Sequence, residues 1–131
     1  GPVVGVSQME TGRYETTGKG KDKQTNFVLT DQFAPGDGVV IRSQVTDGSG
    51  IPISNATVAI QIGGPEQVAL NSNPSDAGGW AEATWQTQAP NRKGQGGTTP
   101  GAYTASTANV TASGYNWDGV TTSTPFTITI Q

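Results

Sequence analysis

The 131-residue chain predicts an all-β fold, an antiparallel sandwich of roughly seven to eight strands forming one domain over residues 3–131. Three observations lead there. Short Thr- and Val-rich segments alternate apolar and polar residues with a period of two. Gly, Pro, Asn and Asp punctuate them at regular intervals. No stretch repeats its apolar residues at the spacing of a helix face.

Taken in order, residues 3–9 form a candidate edge strand, and residues 11–24, polar and carrying Lys19, Lys21 and Lys23, read as a loop. Residues 25–33 (TNFVLTDQF) offer a short strand that stops at Ala34-Pro35-Gly36-Asp37-Gly38. There Pro presets φ and Gly supplies the left-handed conformation of a tight turn. Residues 39–46 alternate, with Val39, Ile41, Ser43 and Val45 on one face and Val40, Arg42, Gln44 and Thr46 on the other. That is the pattern of a half-buried strand. Asp47-Gly48-Ser49-Gly50 closes it as a hairpin-type turn.

Residues 57–62 then turn Val58, Ile60 and Ile62 inward until Gly63-Gly64-Pro65 ends the run, and residues 67–70 add a short strand. Residues 80–87 place Ala81, Ala83 and Trp85 on one face and Trp80, Glu82, Thr84 and Gln86 on the other. Residues 91–101, Gly-rich with Arg92 and Lys93, read as a mobile loop. Residues 102–112 form a long strand. Residues 124–130 form the last, burying Phe126, Ile128 and Ile130, with Pro125 near its start where a missing N–H does least harm.

Composition narrows the function. Charged residues make up 13% of the chain, about half the usual share, and Thr, Ser, Asn and Gln take their place. A net charge of −3, with the one Lys cluster interrupted by Asp22, argues against a nucleic-acid partner. No apolar run is long enough for membrane insertion. The chain has no Cys and no His, which removes disulfides, thiol nucleophiles, zinc–thiolate sites and the commonest general base. Gly1-Pro2 reads as an expression-tag scar, so the natural N-terminus is expected to be missing.

Two constellations carry chemistry. The turn aspartates Asp37, Asp47, Asp76 and Asp118 are candidate oxygen ligands for a structural calcium ion, although no D-x-D-x-D string is present. The same residues suit turns, where Asp bonds its own backbone. Trp80 with Glu82, and Tyr115 and Trp117 with Asp118, are candidate carbohydrate-binding residues, aromatic faces for a sugar ring beside groups that bond its hydroxyls. The same Trp residues would also suit structural packing. No G-x-S-x-G elbow or close acidic pair points to catalysis. Asn55-Ala56-Thr57 and Asn109-Val110-Thr111 match the glycosylation sequon, a frequent coincidence in a Thr-rich chain.

Four strings share a recurring wording. Asp47-Gly48-Ser49-Gly50 runs on through Ile51-Pro52-Ile53-Ser54-Asn55-Ala56-Thr57-Val58, and Ser75-Asp76-Ala77-Gly78-Gly79 precedes Ala81 and Ala83. Thr99-Pro100-Gly101-Ala102-Tyr103-Thr104 and Ser113-Gly114-Tyr115 bracket the long strand. Together, over residues 36–130, they resemble the immunoglobulin-like (fibronectin III/invasin-like) modules of secreted or cell-surface bacterial and archaeal proteins. The resemblance implies a sandwich in which Tyr103 buries its ring and ties its hydroxyl to nearby backbone. It also implies a non-catalytic accessory or spacer, extracellular or at the cell surface, whose partners are neighbouring domains of the same polypeptide. A carbohydrate-binding module that anchors a hydrolase to polysaccharide is the main alternative. An adhesin domain that meets a protein through a strand edge or the 91–101 loop is another.

Overall fold

Val39, Ile41, Ser43 and Val45 are all fully buried, so the period-two pattern of their strand fixes which face of its sheet meets the core. The computed structural model describes residues 1–131 and holds ten strands, where the sequence predicts seven to eight. One sheet contains β1 (Val3–Thr17), β2 (Gln24–Leu29), β4 (Gly38–Asp47), β7 (Trp80–Gln86) and β9 (Asn116–Trp117). Its order is β2-β1-β4-β7, with β9 beside the start of β1. The second contains β3 (Gln32–Phe33), β5 (Thr57–Gly63), β6 (Val68–Asn71), β8 (Gly101–Thr111) and β10 (Ser123–Ile128), in the order β3-β10-β8-β5-β6. Pairing is antiparallel except for two short parallel contacts, β1 with β9 and β10 with β3, which depart from the purely antiparallel expectation.

The core lies between the sheets as one cluster of 19 buried residues drawn from both. Val58, Ile60 and Ile62 face it from β5, and Ala81, Ala83 and Trp85 from β7, as their alternation predicts. At the end where β4 begins, here the upper end, Trp85 sets its ring edge against Tyr103 and Phe126, at 5.3 and 6.4 Å between centroids. Tyr103 and Phe126 stack as a cross-strand pair at 5.5 Å, and Phe33 meets Phe126 edge-on. Burying each of these rings contributes about 1.5–3 kcal/mol. The Tyr103 hydroxyl donates to the Thr99 carbonyl at 2.6 Å, the backbone tie expected of it.

β1 departs from its predicted role. It is an interior strand, flanked by β4 on one side and by β9 and β2 on the other. It enters at the lower end, with Val4 opposite Asp47, and climbs to Gly12 opposite Val40. Beyond Gly12 its partner is β2 alone, as far as Thr17 opposite Gln24. The predicted 11–24 loop is therefore mostly strand, half of a two-stranded ribbon that runs past Gly12 and sets Tyr14 and Phe27 against the outer face of the sheet. Water reaches both faces of its tip, so the apolar alternation that marks a half-buried strand is missing there.

The last strand also ends early. Phe126 and Ile128 are buried, whereas Ile130, predicted inward, is 65% exposed. The antiparallel pairing with β8 stops at Ile128 opposite Gly101, and the Thr129 N–H donated to the Phe33 carbonyl is the last bond to β3, so Ile130 lies past both neighbours. Pro125 sits where predicted. Thr127 sends its N–H to Asp31, so the N–H that Pro125 lacks would point past the start of β3 to an unpaired edge. The 91–101 segment is a tied loop: Asn91 Oδ1 accepts the N–H groups of Lys93 and Gln95, and Thr98 exchanges hydrogen bonds with Gln88.

Two substitutions test this core. Burial, and secondarily the charge of Glu66, raises the Tyr103 pKa above its ordinary value. A raised phenol contributes stability that is whole below the unfolded pKa of about 10 and is lost as pH rises through the folded value. Tyr103→Phe is expected to cost about 0.5–1.5 kcal/mol near neutrality through the lost Thr99 bond, and to flatten the alkaline limb of a stability-versus-pH curve. Ser43 has no hydrogen-bond partner for its buried hydroxyl. Ser43→Ala is expected to raise urea-unfolding stability by about 1 kcal/mol by removing that desolvated group.

Candidate functional site

The outer face of the first sheet gathers the polar chemistry. Arg42 lies opposite Glu82 in the β4–β7 register, and its Nε donates to Glu82 Oε1 at 3.0 Å. Its guanidinium lies 3.7 Å from the centre of the Phe27 ring and 5.9 Å from that of Tyr14. Tyr14 and Phe27 face each other across the ribbon, edge to face at 5.5 Å. The Tyr14 hydroxyl donates to Glu82 Oε1 and accepts from Arg42 Nη2 at 3.1 Å. Gly12 makes the arrangement possible, because a side chain there would collide with the Phe27 ring. Desolvation lowers the Arg42 pKa, but hydrogen bonds to Tyr14 and Glu82 outweigh it and the net shift is upward, so the cation persists.

Beside this knot, Trp80, Glu82 and Arg42 join Asn73, Pro74 and Asp76 around a shallow pocket of about 200 Å³. Trp80 and Glu82 share the outer face, as their alternation predicts, and both are half-buried. Asn73 Oδ1 accepts the Glu82 N–H at 2.8 Å and holds the 73–76 segment against the β7 edge. Tyr115 and Trp117 lie elsewhere. Both pack against the core cluster, and the Trp117 indole N–H is buried without a partner. Three strand spacings, about 14 Å, separate β9 from β7, so Trp117 and Trp80 do not share one platform.

Each aspartate predicted as a ligand organises its own turn. Asp37 Oδ2 accepts from Ala34, Asp47 Oδ1 from Ser49 and Ile51, Asp76 Oδ1 from Gly78 and Trp80, and Asp118 Oδ1 from Val120. Asp37 stands at the upper end and the other three toward the lower end. Asp118 lies over Gly5, where any side chain would displace its carboxylate, and it lines a lower-end pocket with Asp47. No three acidic side chains come together at metal-binding range.

Tyr14, Phe27, Arg42 and Asn73 are absent from the sequence-predicted site. Arg42 joins only through its register with Glu82. The ribbon had a readable sign: Tyr14 and Phe27, like Thr16 and Thr25, are equidistant from a Gly- and Lys-rich centre, and both pairs are opposed in the structure. No helix is long and apolar enough to cross a membrane. No family model matches the chain, and comparison with curated proteins and with solved structures returns no match.

The clamp of Arg42 on the ribbon is testable by amide exchange. Arg42→Lys keeps the charge but loses the planar stack and the forked bonds. It is expected to cost about 0.5–2 kcal/mol and to speed exchange in β2 and residues 13–17, leaving β5 and β8 unchanged.

Proposed function

We propose that this chain is a non-catalytic spacer module of the immunoglobulin-like kind, part of a larger extracellular or cell-surface polypeptide whose neighbouring domains it holds apart. The observation that carries the reading is the placement of the chain's two ends. Val3 opens β1 at the lower end, one residue before the Val4–Asp47 pair, and β10 leaves at the upper end, with Ile128 opposite Gly101. A chain that enters at one end and leaves at the other transmits its direction to the next domain, and a two-sheet core keeps the span stiff. The ten residues of β4 set that span at roughly 30 Å. The resemblance of the four turn-and-strand strings to surface modules supports the same reading.

The pocket at Trp80 favours a second reading, a carbohydrate-binding module. A sugar ring stacked on Trp80 would find hydroxyl partners in Glu82, Arg42, Asn73 and Asp76. The spacer reading is preferred because Tyr115 and Trp117 support the core and leave Trp80 without a second aromatic face.

Two measurements separate the readings. The chain has no Cys, so Val3→Cys and Gln131→Cys would carry two site-specific spin labels. The spacer reading expects one narrow distance distribution of about 30 Å or more, and a short or broad one would count against it. In pull-down against cellulose, chitin, xylan, starch and peptidoglycan, a spacer is expected to show no retention. Retention lost on Trp80→Ala would put the carbohydrate reading first.

A further inference from the structure

The two ends of the molecule carry opposite charge. At the upper end the turn of the β1–β2 ribbon carries Lys19, Lys21 and Lys23, and the loop from β7 to β8 carries Arg92 and Lys93. All five are exposed and none has an ion-pair partner, since the ion pairs in the structure use only Arg13 and Arg42. With Arg13 added and Glu15, Asp22, Asp37 and Glu66 set against them, the upper end holds a net charge of +2. The turns at the lower end hold Asp47, Asp76 and Asp118 and none of the chain's seven basic residues, a net charge of −3. Each of these aspartates spends Oδ1 on its own turn and leaves Oδ2 without a hydrogen bond.

Apolar surface accompanies the charge. Ile51 and Val120 give their N–H groups to Asp47 and Asp118, and their side chains are 58% and 60% exposed. Val3 lines the same lower-end pocket as Asp47 and Asp118, and it too is exposed. At the upper end Ile130 is exposed just past β10. A surface that pairs unspent charge with exposed aliphatic groups is suited to docking.

We propose that the partner of each end is the opposite end of a second copy of this chain, the basic tips of one molecule straddling the acidic turns of the next. The contact is heterologous, joining two different surfaces, so it leaves a free basic end and a free acidic end on every assembly and propagates as an open filament. Exposed ion pairs are individually weak and screened by salt. Separate copies therefore associate at high concentration and low ionic strength. Copies joined in tandem would do so more readily through their raised effective concentration. The inference goes beyond the spacer reading, which needs only opposed termini, and stands or falls separately from it.

Sedimentation equilibrium of the full chain tests it. In about 10 mM salt, where the Debye length is about 30 Å, the average mass is expected to climb with protein concentration without levelling at a dimer. In about 1 M salt, where that length is about 3 Å, the chain should return to monomer. One variant neutralises the tips (Lys19→Gln, Lys21→Gln, Lys23→Gln, Arg92→Gln, Lys93→Gln). The other neutralises the turns (Asp47→Asn, Asp76→Asn, Asp118→Asn), and Asn keeps the oxygen that each turn needs. Each variant alone should be monomeric, with thermal melts confirming that it is folded. Their equimolar mixture should stop at a heterodimer, because only one competent end of each kind remains. A monomer under all conditions, a plateau at the dimer of the unmodified chain, association indifferent to salt, or a mixture that stays monomeric would overturn the proposal.

Discussion

The packing of Trp85 against Tyr103 and Phe126 is the contact on which the arrangement of the two sheets depends. Trp85 comes from one sheet and the other two from its opposite, so the cluster sets how the layers face each other at the upper end. Its influence extends into the loops through polar atoms. The Tyr103 hydroxyl holds Thr99, and Glu66 accepts the Thr99 N–H, so the loop before β8 is fastened to the turn after β5. Two residues past Trp85, Thr87 is buried. Its hydroxyl donates to the Asp37 carbonyl and accepts the Gly36 N–H, which binds the entry of β4 to the exit of β7. Aromatic packing and buried polar ties thus close the same end of the molecule.

A second constraint governs the outer face. β1 is too long for the sheet that contains it, and its surplus pairs with β2 as a ribbon that a two-stranded ladder alone would hold only weakly. Arg42 supplies the missing support from an inner strand. Its carbon stem rises from β4, its guanidinium sits over the Phe27 ring, and its N–H groups are taken by Glu82 and Tyr14. The charge at the centre of this face is therefore largely satisfied. The polar groups of the pocket outside this knot are those of Asn73 and Asp76, beside the Trp80 ring.

The inner strands were legible because burial chiefly on one face leaves a period-two trace, and β4, β5 and β7 bury the residues that their alternation assigns, with Val40 of β4 buried besides on the opposite face. The ribbon was not, since residues 13–17 have water on both sides and select for polar Thr, Glu and Arg whatever their backbone does. Ile130 misled for a related reason: alternation continues in the sequence past Ile128 and Thr129, where the pairing with β8 and β3 runs out. Within the candidate site, the shared face of Trp80 and Glu82 could be read from parity alone. The link from Glu82 to Arg42 and on to Tyr14 could not, because it depends on the pairing of strands separated by dozens of residues. The separation of Trp117 from Trp80 was hidden likewise, since sheet order and not sequence distance decides it.

The opposed ends of the chain have a mechanical consequence. Tension applied between Val3 and Ile128 would pull β1 downward along its length while its neighbour β4 is held by the rest of the sheet. The β1–β4 ladder runs from Val4 to Gly12 with bonds across the line of pull, so they share the load at once and cannot be opened one by one. The bulge at Ser7 divides that ladder into two short blocks, and rupture would begin in the block nearer the N-terminus, where the parallel contact with β9 is only two residues long. Resistance to stretching is then a matter of unfolding rate more than of equilibrium stability. Under such tension the fold would be loaded in shear.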